Sequence, residues 1–165
     1  MPKGKQVIAL DSIVGDDEKD TSLLRKMALT AEQYIQSFEW CEHLKEGFLT
    51  DGYGGIIAMF LFRADIKKLG PDRWIWVFVG DLPSAYLEME EYKSPYEALR
   101  RYIEGIDEWM EAARSGLPLG GLIPVEARAD PDTLTALAGR TDTLRQHILP
   151  HISRNEFHSG SRLLQ

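Results

Sequence analysis

Trp74-Ile75-Trp76-Val77-Phe78-Val79-Gly80-Asp81-Leu82-Pro83 is the stretch on which the fold turns. Its first six residues are aromatic or β-branched, the composition of a strand. Side chains alternate across a strand, so Trp74, Trp76 and Phe78 share one face while Ile75, Val77 and Val79 share the other. Both faces are apolar, and neither should meet water. Either helices cover both sides of this sheet or a second copy of the chain covers one of them, so a homodimer is one expectation. Gly80 permits a bend, and Pro83 ends the strand.

Upstream, Ile56–Phe62 is continuously apolar and reads as a second strand. The link to Trp74 holds Leu69-Gly70-Pro71-Asp72, a turn signature, and is too short for a helical crossover. The pair should therefore be antiparallel. Downstream, Ser94-Pro95-Tyr96-Glu97 combines an N-cap serine, a proline at the first helical position and a glutamate at the third. The helix it opens runs to about Ser115 and turns Leu99, Tyr102, Ile103, Ile106, Trp109, Met110 and Ala113 inward. A Gly/Pro-rich loop follows, then Asp130-Pro131 opens a last helix carrying Leu134, Leu137, Leu144 and Ile148, stopped by Pro150.

Leu24, Met27, Ala31, Tyr34, Phe38, Cys41, Leu44 and Phe48 recur at spacings of three and four, which predicts a first helical region over about Thr21–Glu46. Thr30 with Gln33 resembles a capping box, so a break near Thr30 is an alternative. The expectation is an α+β protein, with a small antiparallel sheet, central hairpin about 56–62 and 74–79, packed with three or four helices. Residues 1–20 read as a flexible arm in which Val7–Leu10 makes an edge strand and Asp16–Asp20 a linker. Residues 21–150 form one domain, and 151–165 read as a loose polar tail.

The chain has 165 residues, 44% of them hydrophobic and 27% charged, enough for one domain with a real core. Net charge is −7. Between Asp81 and Glu111 nine acids stand against three bases. Such a surface repels phosphate backbones, which disfavours nucleic acid and allows a basic protein partner. One cysteine, Cys41, permits no intrachain disulfide, the N-terminus does not read as a signal peptide, and the longest apolar run, Gly54–Phe62, is too short to span a bilayer. The cytoplasm is the expected compartment, without membrane association.

No phosphate loop, nucleophile elbow or zinc-protease motif is present, and no cofactor is expected. Gly52-Tyr53-Gly54-Gly55 precedes a strand and reads as a tight turn. His147 and His151 have metal-ligand spacing, but Pro150 breaks the helix between them; no metal site is expected. Cys41, flanked by Glu39 and Glu42, reads as a small core residue of the first helix. Asp81 is the most open position. It either caps the turn by accepting backbone N–H bonds or serves a ligand, with Arg63 or Arg73 as its charge partner. A ligand site here would comprise Asp81, Arg63, Tyr53 and Tyr86. No catalytic residue is assigned.

The run Trp74–Tyr86, with Ser94-Pro95 and the helix through Trp109, resembles an uncharacterised family of small bacterial proteins. That family shares a Trp-rich strand, a Gly-Asp-Leu-Pro turn, a nearby Tyr and a Pro-started helix. The helix before the first strand, with Trp40-Cys41, looks similar, and the likeness extends from about Tyr34 to Ile148. The resemblance implies a bacterial origin and a domain of unknown function, and carries no activity or site residue with it. Function then divides between a non-enzymatic interaction module of inhibitor or immunity type with a basic partner, a small-molecule-binding protein or small enzyme built around Asp81, and a self-associating structural protein.

Overall fold

The computed structural model describes residues 7–123, 125 and 127–157. A five-stranded antiparallel sheet runs in simple sequence order through β1 (Ile8–Ala9), β2 (Cys41–Tyr53), β3 (Ile57–Ile66), β4 (Gly70–Gly80) and β5 (Ala85–Glu88). Three α-helices are present among the described residues: α1 (Glu18–Gln36), α2 (Pro95–Arg114) and α3 (Pro131–Thr143), the last continuing into a π turn at Leu144–Ile148. The central hairpin is antiparallel, with Ile57 opposite Gly80 and Arg63 opposite Trp74.

Both faces of the sheet are dry, and the chain covers them itself. Ile57, Met59, Leu61, Trp76 and Phe78 pack beneath α2 and α3, where Phe78 stacks on Tyr102 with ring centroids 4.5 Å apart. Phe60, Phe62, Ile75, Val77 and Val79 pack beneath Leu24, Met27, Ala31 and Ile35 of α1. The result is a helix–sheet–helix sandwich, the first of the two coverings that the apolar faces allowed.

Helix starts follow local chemistry. The Ser94 side chain accepts from the Glu97 N–H, with Pro95 in the first turn; Asp130 does the same for Thr133, with Pro131 behind it. Asp17 caps α1 by accepting from the Asp20 N–H. The acidic run expected to be a linker is therefore the first turn of a helix, where carboxylates also meet the positive end of the helix dipole.

The first helical region ends at Gln36, well before Glu46, and Cys41, Leu44 and Phe48 belong to β2. Three bulges in β2, at Cys41/His43, Leu44/Glu46 and Leu49/Asp51, explain the misleading pattern. A bulge places one extra residue between two side chains that share a face. Cys41 and Leu44 both point toward α1, three residues apart, and so imitate a helical step. Gly47 admits the crossing of β2: a Cβ there would lie 2.5 Å from the Phe62 ring and 2.7 Å from Leu10. β5, only four residues long, was not expected.

The ends of the chain are also more engaged than their composition suggests. Ile13 is fully buried, and β1 pairs with β2 at Leu49 and Phe48. Ile152 and Phe157 are buried; the Tyr96 N–H donates to the Ser153 carbonyl, and the Phe157 N–H to that of Lys93. The Phe157 ring lies 5.8 Å from Trp76, and the Arg154 guanidinium sits 4.1 Å over Tyr96. Residues 152–157 are thus docked rather than a loose tail. Residues 1–6 and 158–165 lie outside the described part.

Candidate functional site

Gly80 must be glycine: its φ is 153°, and a Cβ would lie 2.2 Å from the Ile56 carbonyl oxygen. That close approach lets the Asp81 N–H donate to the same carbonyl at 2.9 Å and sends the chain outward. The Asp81 side chain is then exposed and makes an ion pair with Arg140 Nε at 3.1 Å. Among the described residues it caps no backbone donor. What anchors the turn is Tyr102, whose hydroxyl donates to the Pro83 carbonyl from a fully buried ring. Burial pushes that hydroxyl far above the ordinary phenol range, so it stays protonated and donating.

The four residues grouped around Asp81 do not converge. Tyr53 ends β2 opposite Ile57, which is itself opposite Gly80, so it shares the sheet end with Asp81 about two strand spacings (~10 Å) away. Arg63 lies six residues along β3, about 20 Å toward the other end. There it pairs with Glu46 at 2.8 Å and Asp72 at 2.5 Å. Arg73 pairs with Glu90. Tyr86 stands opposite Val77, on the α1 face, outside any site built on Asp81. Arg140, the partner Asp81 does have, comes from α3, and no local signal announces it.

At the far hairpin end Lys45 bridges Asp65 and Asp72, both at 2.9 Å, and Asp72 also meets Arg63. The Lys45 hydrogen bonds hold both carboxyls below the ordinary value. This network clamps β2, β3 and β4 together. Cys41 is half-buried in β2, and burial raises its thiol, the opposite of what a nucleophile needs. His147 and His151 do not join a cluster: among the described residues no group of three or more His, Cys, Asp or Glu is placed to hold a metal. No described helix is long and apolar enough to cross a membrane.

Two features went unseen in the sequence. A half-buried aromatic group caps the end of α1, with Phe38 stacked on Trp40 at 4.9 Å and Tyr86 edge-on to Phe38 at 5.1 Å. The second feature is the distribution of charge. Of the nine acids from Asp81 to Glu111, five are in ion pairs, three of them with Arg73, Arg140 and Arg145 from outside that stretch. From Asp11 to Glu42, by contrast, eight acids stand against three bases. Not one of those eight is ion-paired among the described residues.

That uncompensated segment borders an open groove of about 1040 Å³ between α1 and the β1–β2 edge. A second groove of about 570 Å³ continues it toward the start of α1, sharing Arg25 and Leu29. No family model, curated protein or solved structure matches the chain.

Proposed function

We propose that this protein is a non-enzymatic interaction module that covers a basic surface of a protein partner, in the manner of an inhibitor or immunity protein. The observation that carries this reading is the surplus of negative charge from Asp11 to Glu42, which the rest of the described chain leaves unpaired around an open, partly apolar face. Unpaired like charges raise the self-repulsion of a folded chain, and a partner of opposite sign relieves it while steering its own approach. The competing ligand-site reading loses its support because Arg63 and Tyr86 stand apart from Asp81. The reading includes membership of the small bacterial family that the Trp74–Tyr86 stretch resembles, and a cytoplasmic setting consistent with a single cysteine.

The test is affinity capture with the full chain from the source organism, followed by reconstitution with the purified captured protein at low and high salt. A basic partner whose affinity falls steeply with salt is expected. An acidic partner, or a complex indifferent to salt, would contradict the reading.

A further inference from the structure

The outer side of α1 has a composition that fits one kind of occupant. Along it the two grooves form one furrow, with Leu10 and Leu44 half-buried on one bank. Leu29 and Val14, 59% and 66% exposed, extend the apolar strip toward the start of the helix. A single exposed leucine means little, but here the apolar residues border one depression. Asp11, Asp16, Asp17, Glu18 and Glu32 stand along its banks, none in an ion pair among the described residues. Of the cations that line it, Arg25 Nε donates to the Ile13 carbonyl and Lys45 is held by Asp65 and Asp72, while Lys26 stands exposed and the five acids outnumber it.

An apolar strip between acidic banks complements a segment that is apolar on one side and basic on its flanks. Strand addition is disfavoured, although β1 pairs with only two residues of β2 and leaves Cys41–Gly47 open. Two of the β2 bulges lie in that open stretch, and Glu42, Lys45 and Glu46 add charge to it, features that guard an edge against pairing. A helix suits the space better. The 19 residues of α1 span about 28 Å, room for several turns laid alongside. We propose that this furrow docks a basic amphipathic helix of a protein partner, its apolar stripe on Leu29 and Leu10 and its lysines or arginines against the flanking acids.

This inference rests on the reading of the protein as a module for a basic partner. Its test uses the full chain and a fluorescent leucine–lysine peptide of helical period, with a scrambled peptide of equal composition as comparison. The periodic peptide should bind about tenfold more tightly than the scrambled one. Its amide shift changes should fall on α1 and residues 9–17. Leu29→Glu is the decisive variant, because it adds an acid while removing the apolar contact. Docking predicts about tenfold weaker binding; attraction by charge alone predicts tighter binding and would overturn the proposal. Glu32→Lys should also weaken binding, and Glu91→Lys, remote in the turn between β5 and α2, should not. Shift changes centred on α2 would overturn the furrow and leave the basic-partner reading standing. Failure of both peptides and of polylysine to bind would remove that reading as well.

Discussion

Replacing Tyr102 by Phe should destabilise the protein more than removing Asp81, although Asp81 is the more conspicuous residue of the Gly-Asp-Leu-Pro turn. The Tyr102 ring is fully buried and stacked on Phe78, and Phe keeps that packing. Only the hydroxyl is lost, leaving the Pro83 carbonyl without this donor. A part-buried hydrogen bond of this kind contributes about 1 kcal/mol. Asp81 and Arg140 have side chains 59% and 45% exposed, and such a pair contributes about 0–1 kcal/mol. In urea melts near neutral pH, Tyr102→Phe should therefore lower the midpoint clearly and Asp81→Ala barely. A double-mutant cycle of Asp81→Ala with Arg140→Ala should give a coupling below about 1 kcal/mol. If Asp81→Ala costs as much as Tyr102→Phe, the carboxylate has a second role and the assignment of the turn's anchor is wrong.

Phe157→Ala should cost about 3 kcal/mol, since it empties a buried site against Trp76, and should open residues 152–157 to brief proteolysis. Unchanged stability and cleavage would mean the segment is not docked. Stability should also depend on acid through Asp65 and Asp72. Their carboxyls titrate below the ordinary 3.8 when folded, so their contribution is complete above that value and is lost as pH falls from it through the lower folded values. Lys45→Met should make the acid-induced fall in urea midpoint shallower; an identical fall would remove Lys45 as its cause. Light scattering of the isolated chain should give a monomer, because α1 covers one sheet face and α2 with α3 the other. A stable dimer would show that the outer surfaces bury more than these layers do.

The elements legible in the sequence were those whose signal is local and regular. The β4 alternation, the Ser94-Pro95 start of α2 and the Asp130-Pro131 start of α3 each lie within a few residues and survive folding unchanged. β2 was illegible because its bulges convert a two-residue period into an apparent helical one at Cys41 and Leu44. Phe157 gave no period at all, being one apolar residue in a polar stretch, and only Trp76, far away in sequence, makes sense of it. Charge misled for a related reason. The acids from Asp81 to Glu111 formed a surplus along the chain, yet Arg73, Arg140 and Arg145 reach several of them in space. Asp51, buried in β2 opposite Met59, likewise carries no mark in its Thr-Asp-Gly surroundings that separates it from a turn residue.

The location of the uncompensated charge is the central claim, and the affinity of decalysine for two matched double variants tests it most directly. Asp16→Asn with Glu32→Gln removes two charges from the α1 side; Glu104→Gln with Glu108→Gln removes two that are already paired with Arg100 and Arg101. The net charge of both variants is the same. By calorimetry at low salt, the first pair should weaken binding about fivefold, roughly 1 kcal/mol, and the second far less. Equal losses, or a larger loss for the α2 pair, would contradict the account.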